Sequence, residues 1–150
     1  MSETRKPIVI LLAEDDADDR LLVKDAMSEC GWEGELRYVE NGEELLNYLL
    51  RRGQYASEAA APRPALILLD LNMPRKDGRE ALQDIKADPN LRRIPVVVLT
   101  TSRADIDVSR LYDLGANSFV SKPVRFDALV NVFRTLAQYW FNTVELPAAK

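Results

Sequence analysis

The sequence predicts a single α/β domain built on a doubly wound, five-stranded parallel sheet. Short apolar runs alternate with longer amphipathic stretches in five successive β–α units. Two of the runs, "ALILLDL" at 65–71 and "IPVVVLTT" at 94–101, are almost continuously apolar, which is typical of strands covered by helices on both faces. A chain of 150 residues also accommodates one domain with a substantial core. We therefore expect one sheet with a layer of helices on each side.

The apolar pattern places each element. Strands are predicted at about 8–13, 35–39, 65–70, 94–100 and 117–121, and helices at about 17–30, 42–52, 78–87, 104–113 and 125–142. In the last helix the i, i+3, i+4, i+7 spacing predicts a core-facing stripe of Phe126, Leu129, Val130, Phe133, Ala137 and Trp140. The Ala- and Pro-rich segment 54–65 is predicted to be a surface loop. The core is expected to span about 7–142, and residues 143–150 a C-terminal tail of the same domain.

Composition narrows the classes of function. The net charge of −4 gives no broad basic surface for nucleic acid or an anionic membrane. No leader pattern and no apolar run of about 20 residues is present, so a cytoplasmic protein is expected. The chain has no histidine, which excludes Ser–His–Asp and Cys–His nucleophiles and imidazole zinc sites on this chain. A single cysteine, Cys30, excludes an intrachain disulfide.

Polar side chains follow four of the predicted strands. Glu14, Asp15 and Asp16 follow the first strand, Asp70 the third, Thr100 and Thr101 the fourth, and Lys122 the fifth. Ligand sites in open parallel sheets form at the carboxyl ends of the strands, where the strand order reverses. In the order 2-1-3-4-5, strands 1 and 3 are neighbours, so we expect Asp70 to face Glu14 and Asp15.

Such a cluster of carboxylates beside an apolar sheet is costly unless a cation neutralises it. Oxygen ligands alone favour Mg²⁺, with Mn²⁺ as the alternative, over zinc. Without histidine, an aspartyl phosphate on Asp70 is the covalent chemistry that the pocket suits. Lys122 and the hydroxyl of Thr100 are then the groups that hold the remaining phosphoryl oxygens.

Each of these residues also has a plainer interpretation. Asp16 is expected to cap the first helix, and Asp18 and Asp19 are expected to be solvated acids of its first turn. Thr100 is also an ordinary β-branched strand residue, and Lys122 also suits a loop. Asp70 is harder to explain by solvation, because it follows five apolar or small residues.

Four motifs resemble those of the receiver domains of two-component response regulators, over about residues 7–142. "ILLAEDD" resembles the acidic pair after strand 1, and "LILLDLNMPRKDG" resembles the phosphoacceptor segment, with Pro74 and Gly78 in place. "VVVLTTS" is similar to the hydroxyl motif, and "GANSFVSKP" to the segment that carries the aromatic switch residue and the lysine. The resemblance implies the flavodoxin-like receiver fold with strand order 2-1-3-4-5.

The resemblance also implies a phosphorylation switch. Asp70 accepts a phosphoryl group from the phosphohistidine of a histidine kinase, and the protein signals through protein–protein contacts. Mg²⁺ is held by Asp15, Asp70 and the main-chain carbonyl of Asn72, and Glu14 orients a metal-bound water. Lys122 pairs with the phosphoryl group, Thr100 moves to hydrogen-bond it, and Phe119 turns into the vacated space. In this family the peptide bond between Lys122 and Pro123 is typically cis.

Some features depart from the commonest pattern or indicate a subgroup. Glu14 replaces the commoner first Asp, and Phe119 stands where many members carry Tyr. The long 53–64 connection and the tail "QYWFNTVELP" resemble stand-alone regulators of phytochrome-type kinases, with no effector domain after the receiver. Members of this subgroup tend to form homodimers. A second apolar stripe on the last helix, with its extension into the tail, offers the candidate contacts Val132, Leu136, Tyr139, Phe141, Val144 and Leu146.

Two other functions stay open on the sequence. A Mg²⁺-dependent phosphatase or phosphomutase also uses an aspartyl phosphate, but its general acid usually lies two residues after the nucleophile, where this chain has Asn72. A receiver-like binding module that is never phosphorylated would have no need of the Asp15, Asp70, Thr100 and Lys122 set. We therefore expect a phosphoacceptor rather than an enzyme, with at most self-catalysed phosphotransfer and autodephosphorylation.

Overall fold

The computed structural model describes residues 8–32, 34–100 and 108–147. Five parallel strands form one sheet in the order β2-β1-β3-β4-β5. The strands are β1 (Val9–Ala13), β2 (Glu35–Val39), β3 (Leu66–Leu69), β4 (Val96–Thr100) and β5 (Ser118–Ser121). The predicted doubly wound parallel sheet and its strand order are thus confirmed.

Five α-helices connect and follow the strands. They are α1 (Ala17–Glu29), α2 (Gly42–Leu49), α3 (Gly78–Ala87), α4 (Val108–Asp113) and α5 (Phe126–Ala137). The part of the fourth predicted helix at 104–107 lies outside the described residues. The second helix ends three residues earlier than predicted, because the chain turns at Arg51, whose φ of 54° is left-handed.

The sheet separates two apolar layers, because alternate residues of a strand point to opposite faces. On one face Ile10, Leu68 and Leu99 pack with residues of α1 and α5. On the other face Leu11 and Leu69 pack with residues of α2, α3 and α4. Both faces of the central strands are therefore covered, as their continuous apolar runs predict.

The segment between α2 and β3 is held to the rest of the fold. A short 3-10 turn, Gly53–Tyr55, begins it, and Ala61 is buried. The hydroxyl of Tyr48 donates to the carbonyl of Pro62 at 2.7 Å, and the Arg51 guanidinium donates to the carbonyl of Ala61 at 3.2 Å. The predicted surface loop is thus anchored at its middle.

The predicted core-facing stripe of α5 is confirmed for Leu129, Val130 and Phe133, which are buried. The prediction is wrong for Phe126, which is 41% exposed. Phe126 is the first residue of α5, one turn before the first buried residue of the stripe. Helical spacing gives the direction of a side chain, but not how far along the helix the core extends. The residue therefore lies in the stripe and outside the core.

After α5 the chain forms a π-helical segment, Gln138–Thr143, rather than continuing as an α-helix. The change of period alters the directions of the side chains that follow. Leu136 and Phe141 pack against the α1–α5 layer, and the ring of Phe141 stacks on Trp32 with centroids 5.9 Å apart. Both side chains are only partly buried, and Tyr139 is 50% exposed, so the part of these residues in a contact between two copies stays a prediction.

Within the described residues, no helix is both long enough and apolar enough to span a membrane.

Candidate functional site

Three carboxylates meet at the carboxyl edge of the sheet. Ala13 of β1 pairs with Leu69 of β3, so the residues that follow, Glu14 and Asp70, lie side by side. One oxygen each from Glu14, Asp15 and Asp70 lies within 4.8 Å of the others. The convergence of these acids at the switch point places an all-oxygen donor set there, which fits a hard divalent cation such as Mg²⁺ or Mn²⁺.

Lys122 reaches this cluster from the loop after β5. Its Nζ donates to Glu14 Oε1 at 2.8 Å, and both side chains are almost fully buried. Burial raises the pKa of Glu14 to about 7, and the negative charge of Asp70 adds to the rise, although the hydrogen bond from Lys122 opposes it. Burial by itself would lower the pKa of Lys122, but the hydrogen bond to Glu14 and the surrounding carboxylates raise it. Lys122 is therefore held in its cationic form.

Thr100 ends β4, next to the strand that carries Asp70. Its side chain is fully buried, and its Oγ1 has no hydrogen-bond partner among residues 8–32, 34–100 and 108–147. A buried hydroxyl without a partner costs about 1–3 kcal/mol. With respect to the described residues, the site therefore holds a buried hydroxyl that is free to bond an added group near Asp70 and Lys122.

The loop after β3 is shaped by a glycine. The Gly78 N–H donates to the Leu71 carbonyl at 3.0 Å, and a Cβ on Gly78 would lie 2.5 Å from the Asp70 carbonyl oxygen. Only glycine allows the start of α3 to lie this close to Asp70. Asp77 caps α3 in a capping box with Glu80, which fixes the other end of the loop.

The structure separates the acids of the first helix. Asp16 is the N-cap of α1, and its carboxylate accepts from the N–H groups of Asp18 and Asp19, so the predicted capping role is confirmed. The expectation that Asp19 is merely solvated is wrong, because its Oδ2 lies 3.6 Å from Lys122 Nζ. No pattern in the sequence gives this contact, because it joins α1 to the loop after β5.

The aromatic candidate Phe119 lies on β5, partly buried against the α2–α3–α4 layer. Its N–H donates to the hydroxyl of Tyr112 on α4 at 3.2 Å. Sequence reasoning missed Tyr112, which supplies a phenolic group beside the switch position from a neighbouring helix. The turning of Phe119 and the part of the Asn72 carbonyl in metal binding stay predictions.

The peptide bond between Lys122 and Pro123 is trans, since none of the peptide bonds in the described residues is cis. The expectation of a cis bond, taken from the family resemblance, is therefore wrong here. The two forms of an X–Pro bond differ by only about 0.5–1 kcal/mol, so the residue types do not determine which is adopted.

Sequence reasoning also missed Arg20. Its guanidinium donates to the main-chain carbonyls of Glu14 and Asp15, and it lies over the ring of Tyr38. An arginine in the first turns of a helix gives no signal of such a contact, which depends on how the chain bends between β1 and α1.

An open parallel sheet with a carboxylate cluster, a buried lysine and a buried hydroxyl at its carboxyl edge is the arrangement expected of a phosphoryl-handling α/β domain. The family model described as "Response regulator receiver domain" matches residues 10–134. The chain therefore belongs to the response regulator receiver family.

Known response regulators match this chain over nearly its full length. The chain is 42% identical to the response regulator Rcp1 of Synechocystis sp. over 147 residues, which is 98% of each chain. Among solved structures, the phosphorylated cyanobacterial phytochrome response regulator RcpA superposes with a TM-score of 0.86 at 40% identity, covering 96% of this chain and 100% of RcpA. The Mn²⁺-bound form of Rcp1 superposes with a TM-score of 0.83 at 42% identity, covering 95% of this chain and 100% of Rcp1.

Proposed function

We propose that this protein accepts a phosphoryl group on Asp70 from the phosphohistidine of a histidine kinase and signals by protein–protein contact. The observation that carries the proposal is the buried hydroxyl of Thr100, which has no hydrogen-bond partner in the part of the chain that the structure describes. It lies at the end of β4 beside an acid cluster that already has a buried lysine. A phosphoryl group on Asp70 would supply the acceptor that this hydroxyl lacks.

In the proposed reaction a carboxylate oxygen of Asp70 attacks phosphorus. The new O–P bond forms as the P–N bond to the donor's imidazole breaks, and the nitrogen keeps the electron pair. Lys122 pairs with the phosphoryl oxygens and offsets their charge. Thr100 then hydrogen-bonds the group, and Phe119 moves into the space that Thr100 leaves.

The carboxylates of Asp15 and Asp70 and the Asn72 carbonyl are the groups that would hold Mg²⁺ or Mn²⁺, with Glu14 orienting a water. When bound, the cation neutralises charge between the carboxylates and the incoming phosphoryl group. The clustered oxygens of Glu14, Asp15 and Asp70, together with the burial of Glu14 and Asp70, support this assignment.

The two alternatives explain the site less well. In a phosphatase or phosphomutase, the residue two positions after the nucleophile transfers a proton, which the amide of Asn72 cannot do. In a module that is never phosphorylated, nothing among the described residues would satisfy the buried hydroxyl of Thr100, and burying it would only cost free energy. A phosphoacceptor, rather than an enzyme acting on a separate substrate, accounts for both residues.

A phytochrome-type kinase is the partner that the relatives favour, because RcpA is described as a cyanobacterial phytochrome response regulator. Exposed apolar side chains near the site offer a surface for such a partner. Leu21 and Leu22 lie on α1, and Val124 and Phe126 follow Lys122. We expect the encounter to take place in the cytoplasm.

We also propose a homodimer through the last helix and the segment that follows it. Tyr139 is half exposed and contacts Trp140 edge to face. Val132 lies on α5 and is partly exposed. Leu136 and Phe141 contribute to this surface indirectly, by fixing the π-helical segment against α1.

The phosphoacceptor is tested with acetyl phosphate and Mg²⁺. Wild type is expected to gain the mass of one phosphoryl group, and Asp70→Asn to gain none, because the nucleophile is lost. Asp18→Asn, which removes an exposed acid from the first turn of α1, is the matched control and is expected to be labelled like wild type. Intact-mass spectrometry measures the change, and labelling of Asp70→Asn at the wild-type rate would contradict the proposal.

The same preparation separates the alternatives. Rapid release of phosphate from an unrelated phosphoester would favour the phosphatase. Faster transfer from a phosphorylated phytochrome-type kinase than from other kinases would support the proposed partner, and equal transfer from all of them would count against it.

A further inference from the structure

We propose that Arg20 is a positioning residue for the acid pair Glu14 and Asp15, which it holds by their main chain. The inference rests on the metal-binding part of the proposed function. It adds a residue that does not itself contact the metal or the phosphoryl group.

One guanidinium nitrogen holds two consecutive carbonyls. Arg20 Nη1 donates to the Glu14 carbonyl oxygen at 3.0 Å and to the Asp15 carbonyl oxygen at 3.1 Å. Both peptide planes are therefore fixed on the side of Arg20. Since Asp15 lies between these two planes, the two contacts fix the direction in which its Cα–Cβ bond points, and they fix the plane that follows Glu14.

Asp15 depends on these two contacts more than Glu14 does. Glu14 is buried, and its carboxylate is hydrogen-bonded to Lys122. Asp15 is exposed, and within the described residues no hydrogen bond or ion pair holds its carboxylate. The position of the Asp15 carboxylate near Asp70 therefore depends on the main chain. Arg20 holds this main chain through the Asp15 carbonyl, and the N-cap at Asp16 holds the residue that follows.

Tyr38 supports the guanidinium from behind. The central carbon of the Arg20 guanidinium lies 4.4 Å from the centre of the Tyr38 ring, within the range of a cation–π contact. Tyr38 lies on β2, where it pairs with Leu12 of β1. The ring is thus carried by the sheet that also carries the acid pair, and it limits the directions open to Arg20.

The positive charge of Arg20 and its two hydrogen bonds should affect the affinity for a divalent metal in opposite directions. A cation near the carboxylate cluster repels a divalent metal, so its removal by Coulomb's law alone should tighten metal binding. Loss of the two carbonyl contacts should instead weaken metal binding, because Asp15 would no longer be held in place. The direction of the change in affinity therefore distinguishes a positioning role from a purely electrostatic one.

The test is a calorimetric Mg²⁺ titration of the full chain. Arg20→Met is expected to bind Mg²⁺ about tenfold more weakly than wild type, the lower end of the range for residues that orient metal ligands. Lys24→Met removes a positive charge one turn further along α1 and is the matched control, with affinity expected to be unchanged or slightly higher. Tyr38→Leu is expected to weaken binding by a smaller factor, and Arg20→Lys to restore part of it.

A second measurement needs no metal. In Arg20→Met the amide of Asp16, whose N–H donates to Glu14 Oε2 at 3.3 Å, is expected to exchange with solvent faster, while core amides keep their wild-type rates. A merely destabilised protein would instead show faster exchange throughout. Arg20→Met that binds Mg²⁺ as tightly as wild type, or more tightly, overturns the inference.

The phosphoacceptor proposal and the Arg20 proposal can fail independently of each other. Wild type that binds Mg²⁺ but is not labelled at Asp70 would overturn the phosphoacceptor and leave the Arg20 result standing, because affinity is an equilibrium measurement on the resting protein. Wild type that is labelled, with Arg20→Met unchanged in affinity, would overturn the inference alone.

Discussion

Lys122 is the cation that faces two carboxylates of the site, those of Glu14 and Asp19. Its ammonium lies 2.8 Å from Glu14 Oε1 and 3.6 Å from Asp19 Oδ2. A phosphoryl group on Asp70 must compete with these carboxylates for the same cation. In the proposed site Glu14 also orients a metal-bound water, whereas Asp19 has no part in holding the metal and is the competitor that a substitution can remove.

We therefore predict that Asp19→Asn strengthens the binding of beryllofluoride, a phosphoryl mimic, at saturating Mg²⁺. A partly exposed ion pair contributes up to about 1 kcal/mol, so the expected gain is about two- to fivefold. Asp18→Asn removes the same charge from the neighbouring position and is expected to change the affinity less. Titration measures the affinity for beryllofluoride. Equal changes of affinity in the two variants would mean that Asp19 acts only through the net charge of the site and not through its contact with Lys122.

Among single residues, Glu14, Asp15, Asp70 and Lys122 could be predicted from the sequence, because the carboxyl ends of parallel strands meet at one edge. Asp19 and Arg20 could not be predicted in the same way. Their contacts depend on how α1 leaves the sheet, and the residue types at the start of a helix do not determine that path. The unpaired state of Thr100 also depends on neighbours that the sequence does not place.

At the scale of elements, one lysine joins three of them at the edge of the sheet opposite the site. Lys86, in the last turn of α3, donates from Nζ to the carbonyls of Arg92 and Ile94 at 3.1 Å and to Asn117 Oδ1 at 3.3 Å. Asn117 Oδ1 also accepts from the N–H of Val96 at 2.9 Å, at the start of β4. The end of α3 and the starts of β4 and β5 are therefore tied together.

We predict that Lys86→Met lowers the free energy of unfolding by about 1–3 kcal/mol, because it leaves partly buried acceptors without their donor. Lys24→Met is again the control, and its effect should stay within about 0.5 kcal/mol, as for surface substitutions. The midpoint of urea unfolding measures both changes. A shift no larger than that of the control would show that water satisfies these acceptors.

The sequence predicts a helix or strand well where a sustained apolar pattern marks it, as in the five strands and in α1, α3 and the body of α5. It does not predict where these elements end. The second helix stops where Arg51 adopts a left-handed φ of 54°, and α5 changes to a π-helical segment at Gln138. Both changes depend on tertiary contacts of the following segments, such as the packing of Phe141 on Trp32.

At the scale of the whole molecule, the proposed homodimer would form through the last helix and the segment after it. We predict that wild type sediments as a dimer at micromolar concentration and that Tyr139→Glu shifts it toward the monomer, because a charge is placed in a desolvated contact. Leu22→Glu introduces the same charge at an exposed position of α1 and is expected to leave the mass unchanged. A monomeric wild type, measured by analytical ultracentrifugation, would contradict the proposed dimer.

The unpaired hydroxyl of Thr100 has a further consequence for how such a chain is selected. A valine of nearly the same shape would fill the position without a buried polar atom, and selection for thermal stability alone would favour it. If the phosphoryl group supplies the acceptor that Thr100 lacks among the described residues, the threonine should stabilise the phosphorylated fold more than a valine would. The margin against unfolding is therefore expected to be greatest in the signalling state.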